Sequence, residues 1–158
     1  MDLKKLDPRE AMLFLDISDT RGVAPEWKQV KLTERLGVYL GSVTMERQYV
    51  TRDLPSTMLV DYRPCLPQEI ALYEGDPVYD FMVKLSYHLF LGEGAVVPAL
   101  ILFGGPHKLA WRADGCVIIP GLLDFARGRI TFTIALTSTL RRGTYEVEGE
   151  QVTFHEWK

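Results

Sequence analysis

Apolar residues recur at helical spacing in only one convincing stretch of this chain. Between Tyr73 and Gly92, the side chains Val78, Phe81, Met82, Leu85 and Leu89 fall on a single stripe of a 3.6-residue helix. Asp76 is a good N-cap, and Pro77 occupies the first helical position, where its missing N–H costs nothing. Asp80 complements the positive end of the helix dipole, and Gly92 is the predicted stop. The predicted helix spans about residues 76–91, a rod of about 22 Å. Tyr79, Tyr87 and Phe90 flank the stripe, which predicts contacts beyond the helix's own core.

Elsewhere the period is two. Strands are predicted over 10–17, 27–32 and 68–73. A near-continuous apolar run over 95–103 predicts a buried strand, followed by strands over 107–112 and 116–120 across a tight Asp114-Gly115 turn. Gly121 to Gly128 reads as a connection. The cleanest alternation is 129–138: Ile130, Phe132, Ile134 and Leu136 face one way, and Thr131, Thr133, Ala135 and Thr137 the other. Segments 143–147 and 152–155 close the chain across Glu148-Gly149-Glu150. Ser18 to Gly22 is turn chemistry, and Thr33 to Gly37 a bend or helical turn.

The extended region from Val38 to Leu72 is different. Val43, Met45, Arg47, Tyr49 and Thr51 share one face, while Thr44, Glu46, Gln48 and Val50 share the other, and neither is uniformly apolar. That mixture is odd for a strand inside a monomer. Pro55 breaks the run, and Met58 to Arg63 leads back. The segment 42–64 is therefore predicted to be a hairpin arm projecting from the body.

Composition changes this picture little. The chain has 158 residues, 47% hydrophobic and 25% charged, with a formal charge of −3, which fits one ordered domain over 1–158 with a polar arm at 1–9. Acidic and basic residues are interspersed, so the clustered Lys and Arg of a nucleic-acid grip are absent from the sequence. The N-terminus lacks an apolar signal core, and there is no apolar run of about 18 residues for a membrane span. Cys65 and Cys116 lack metal spacing and read as reduced thiols of a protein made in the cytoplasm. His88, His107 and His155 share no motif, Gly92-Glu93-Gly94 and Gly104-Gly105-Pro106 read as a cap and a turn, and Arg141-Arg142 as a solvated loop doublet. No catalytic, metal or cofactor-binding residue is assigned, and the chain is not expected to be an enzyme.

The order of these pieces resembles the major tail tube proteins of long, non-contractile-tailed bacteriophages. The resemblance runs over residues 10–155. It rests on the strand at Leu13-Phe14-Leu15, the Trp27-Lys28-Gln29-Val30 segment and the long arm. It continues through the strand-to-helix junction Tyr73 to Phe81, the segment Asp114 to Ile119, and the closing strands Ile130 to Thr137 and Gly143-Thr144-Tyr145. The loop at 138–142 and the acidic close Glu146 to Glu150 depart from that pattern.

The resemblance implies a mainly β fold, two packed antiparallel sheets (sandwich- or barrel-like) with one flanking helix. It implies a structural virion protein of the tail, assembled in the host cytoplasm. Its subunits would form hexameric rings that stack into a tube through which genomic DNA passes non-specifically. The implied partners are other copies of itself, a tape-measure protein, and tail-tip and tail-terminator proteins. On this reading Val43, Met45, Arg47, Tyr49, Arg52, Leu54 and Met58 make contacts between subunits or rings. Glu46, Asp53, Glu69, Thr131 and Thr133 face the lumen, where negative charge would keep DNA from sticking. Two alternatives stand beside it: a single-ring tail terminator or completion protein or a contractile-system tube protein, and, from another class, a small ligand-binding β-barrel.

Overall fold

The computed structural model describes residues 4–21, 23–31, 33 and 36–158. Residues 1–3 of the N-terminal arm, Gly22 of the first turn, Leu32 of the second predicted strand, and Glu34 and Arg35 of the predicted bend lie outside the described residues.

The strands are β1 (Met12–Asp16), β2 (Trp27–Gln29), β3 (Ser42–Arg47), β4 (Ser56–Tyr62) and β5 (Cys65–Ala71), and then, after the helix, β6 (Val96–Leu102), β7 (Leu109–Asp124), β8 (Arg129–Leu136), β9 (Leu140–Glu148) and β10 (Gln151–Glu156). The helix α1 spans Pro77–Tyr87. Eight strands form one antiparallel sheet in the order β10-β9-β7-β6-β1-β2, with β8 also on β7 and β5 on β8; β3 and β4 make a second, two-stranded sheet. The fold is thus mainly β with a flanking helix and a hairpin arm, as the residue pattern predicts.

β7 is the organising strand, and here the structure corrects the sequence reading. Asp114-Gly115 is not a hairpin turn, and Gly121 to Asp124 is not a loop: all lie within one 16-residue strand. Its first half pairs with β9 and its second half with β8. β7 and the β8–β9 run therefore form one long ribbon with a corner at Gly115 and at Thr137-Ser138. The Ser138 hydroxyl accepts from the Gly115 N–H at 2.9 Å, and the Thr137 hydroxyl donates to the Gly115 carbonyl at 2.6 Å. These side chains replace the ladder bonds that the bend removes. A Cβ on Gly115 would stand 2.9 Å from that of Ser138, so glycine is required at this close approach. The "loop" arginines Arg141 and Arg142 likewise lie inside β9.

The bend lets the two halves of the sheet enclose one core with α1. Leu13 and Leu15 of β1, Val97, Ala99 and Ile101 of β6, Ile130, Phe132, Ile134 and Leu136 of β8, and Leu66 and Ile70 of β5 all point into it. Val78, Met82 and Leu85 of α1 complete it. Each such burial contributes roughly 1.5–3 kcal/mol, which stabilises a helix too short to persist alone in water. The chain after β2 returns to the edge of β5 through bridges at Thr33–Ile70 and Tyr39–Cys65, which brings the sheet close to barrel closure. Gln68, buried, is held there by a 3.0 Å bond from the Thr33 hydroxyl and donates to the Pro67 carbonyl. A smaller cluster of Phe14, Leu100, Leu102, Ala110 and Tyr145 makes β1 and β6 buried on both faces.

The helix starts as predicted and ends early. Asp76 is extended (φ −81°, ψ 118°), and its carboxylate accepts from the Val78 N–H at 3.1 Å. At the other end, His88 is the C-cap and Leu89 adopts φ +51°. The Leu89 N–H reaches the Ser86 carbonyl and the Phe90 N–H the Leu85 carbonyl, the paired bonds of a Schellman motif. The left-handed residue that ends the helix is Leu89; Gly92, also at positive φ (+56°), begins the 3-10 turn that follows. As a result Leu89, placed on the core stripe by spacing, is thrown outward with Phe90 and Leu91.

Candidate assembly surfaces

The arm is the first surface. β3 and β4 pair antiparallel, with Thr44 opposite Leu59, Met45 opposite Met58 and Arg47 opposite Ser56, and a bulge follows Val43. The stem is fixed by two 2.9 Å bonds between the backbones of Tyr39 and Cys65 and one from the Arg63 N–H to the Gly41 carbonyl. Beyond the stem, every residue from 42 to 62 is exposed except Val43 and Ser56, which are half-buried. Met45, Tyr49, Leu54 and Met58 are thus exposed apolar side chains, as are Leu59, Val60 and the fully exposed Val50. At the tip the Arg52 guanidinium lies 5.8 Å from the Tyr49 ring centre. An isolated two-stranded ribbon with two bare faces is marginal in water. Of the seven residues assigned to contacts, all seven sit on this one element, with Arg47 at the end of β3.

The second surface is the outer face of β5, β8 and the end of β7. Thr131 stands opposite Glu69, and Thr133 opposite Pro67 and Ile119. Glu69 receives Arg129 at 3.1 Å, while the Thr131 hydroxyl accepts from the Leu122 N–H at 2.8 Å. Three of the five residues assigned to a lumen, Glu69, Thr131 and Thr133, therefore line one shallow depression of about 510 Å³. Glu46 and Asp53 are not brought to it; they are exposed on β3 and on the arm's tip.

The third surface was not assigned from the sequence. The outer side of α1, the segment after it and the β7–β8 turn frame an apolar groove of about 670 Å³. Leu72, Val83 and Ile130 floor it, and Tyr87, Leu91 and Phe125 stand on its rim, each more than four-fifths exposed. The aromatic flank of the helix (Tyr79, Tyr87, Phe90) is the one signal for it in the sequence; Phe125 lies in the segment that reads as a connection.

The chemistry of titratable groups is sparse. Among the described residues no group of three or more His, Cys, Asp or Glu is placed to hold a metal ion, and no helix is long and apolar enough to cross a membrane. Arg112, Asp114, Arg141 and Glu156 form a chain of ion pairs over the sheet, with Arg112 5.6 Å from the Trp27 ring centre. Lys31 and Glu150 pair at 2.7 Å, which raises the lysine pKa and lowers that of the glutamate. Burial pushes the Cys116 thiol up to about 12.

No family model and no curated protein matches the sequence. Solved structures do match the fold. A chain in the structure of the sheath/tube terminator of the extracellular contractile injection system PVC, in its extended state, aligns with a TM-score of 0.58 at 8% identity, over 91% of this chain and 100% of that one. A chain in the structure of the tube-terminating cap of the anti-feeding prophage aligns with a TM-score of 0.54 at 11% identity, over 91% and 94%. A chain of the PVC sheath–tube complex aligns with a TM-score of 0.55 at 7% identity, over 89% and 92%. At these identities the likeness is one of fold, shared with components of phage-tail-like particles over about nine-tenths of this chain.

Proposed function

We propose that this protein is a structural subunit that forms a single ring at the end of a phage-tail-like tube, a terminator or cap. The observation that carries the reading is the arm: twenty-one consecutive residues, 42–62, with nearly every side chain exposed. Such an element needs a neighbour to cover it. The fold likeness supports the choice of neighbour, since this chain aligns with the whole length of a chain in a sheath/tube terminator structure. Six-fold symmetry, a lumen lined by Glu69, Thr131 and Thr133, residence in a particle tail, and contacts with tube and sheath proteins belong to this proposal. So does the absence of a catalysed reaction.

The second reading is a repeating tube subunit, of the contractile or the long non-contractile kind. The likeness to a sheath–tube complex chain favours it, as does the tail-tube resemblance of the sequence. Negative-stain electron microscopy of the purified protein, with its mass in solution and with preformed tubes added, separates the two. Rings that stay one layer thick and sit on tube ends support the terminator. Open-ended stacks support the tube subunit. A monomer at every concentration that binds no tube end overturns both.

A further inference from the structure

We propose that the groove beside α1 is the receptor for the arm of a second copy of this chain. The inference deepens the ring reading and rests on it for closure, although the contact itself stands on geometry. The arm leaves the body at the Tyr39–Cys65 bridge, where Cys65 pairs with Ala135. The groove lies where Leu72 follows Ala71 and Ile130 follows Arg129, at the opposite end of the same β5–β8 ribbon. Seven paired residues at about 3.3 Å each put these two ends about 20 Å apart. The arm is tied at its stem, and among the described residues no arm residue lines the groove, so it does not cover its own groove.

Donor and receptor at opposite ends of one rigid ribbon make a head-to-tail contact, which closes into a ring or propagates as a filament. The two surfaces suit each other in chemistry. The arm presents Met45, Met58, Leu59 and Val60, flexible and branched side chains that fill irregular apolar hollows. The groove presents aromatic and leucine side chains with no charged residue in its lining. The groove is lined by fourteen of the described residues, against about 20–30 on one side of a standard interface, so a single arm–groove contact is small and closure of a ring by repeated contacts supplies the rest.

The test mixes two full-length variants in a Cys65→Ser background, which leaves only the buried Cys116. One carries Met58→Cys on the arm and the other Phe125→Cys on the groove rim, joined by a short bis-maleimide. Assembly converts the encounter into an intramolecular one, so the cross-linked yield is expected to exceed that of a Met58→Cys and Val23→Cys mixture by about 100-fold. Val23 is an exposed apolar position outside the groove. In parallel, Phe125→Glu and Leu91→Glu, both at exposed positions, are expected to weaken association about 30-fold or more while circular dichroism stays native.

Cross-linking in mixtures that form dimers or filaments but no rings upholds the arm–groove contact and sinks the ring. Rings that form undiminished in both glutamate variants, with no cross-link above the control, overturn the contact and keep the ring. Neither rings nor cross-links overturns both.

Discussion

Leu89 shows how a single backbone angle sets a surface. A γ-branched residue at φ +51° is held in a conformation that favours glycine, and the two Schellman bonds hold it there. Leu89→Gly is expected to raise stability by about 0.5–1 kcal/mol, read as a higher urea midpoint with an unchanged slope. A lower midpoint would show that the exposed side chain contributes more packing than its strain costs.

Cys116 makes a second prediction at this scale. Its burial holds the thiol protonated in the fold with a pKa of about 12, while the unfolded chain releases that proton near pH 9.0. The folded state therefore binds more protons between these values, and stability falls as pH rises through that window. Native protein should label at Cys65 long before Cys116, and Cys116→Ala should flatten the alkaline loss. Equal labelling rates would contradict the burial argument.

The arm and the β7 ribbon belong to the scale of elements. The arm contributes nothing to the core, since the residues that build both apolar clusters lie outside 42–62. Deleting 46–60 and joining the strands with a short turn should leave a folded body with near-wild-type denaturation, yet abolish ring closure or stacking. Tubes or rings from the deleted protein would show that assembly uses other surfaces. The ribbon has the reverse character: it carries the core through a corner that Gly115, Thr137 and Ser138 satisfy locally. Its predicted break at Asp114-Gly115 failed because that dipeptide serves equally as a hairpin turn and as a bend in a continuous strand.

At the scale of the molecule, a nearly closed sheet with a helix on one side solves folding but leaves surfaces over. β10 and β2 are pathway ends of the sheet, the arm is bare on two faces, and the groove lies open. A monomer with these features invites association. The ion pairs Lys31–Glu150 and Arg129–Glu69 lie within one chain and are partly or largely exposed, so salt weakens them without weakening the apolar contacts of the arm. Ring or tube formation driven by apolar arm contacts should therefore persist at high ionic strength. Dissociation by moderate salt, followed by sedimentation, would point instead to an electrostatic interface.

The sequence by itself determined the mainly β class, the start of α1, the inward set of β8 and the existence of the arm. Each of these is local: a cap residue with its proline, a strict period of two, or a long extended run that breaks it. The tertiary structure alone decided where the helix stops, because the left-handed cap fell on Leu89 while glycine stood three residues on. It alone merged two predicted strands into β7, since a bend and a turn use the same residues. It also alone gathered Glu69, Thr131 and Thr133 on one face and built the groove from residues far apart in the chain. Those outcomes depend on strand register and on which surfaces meet across the core, and no short window of sequence contains either.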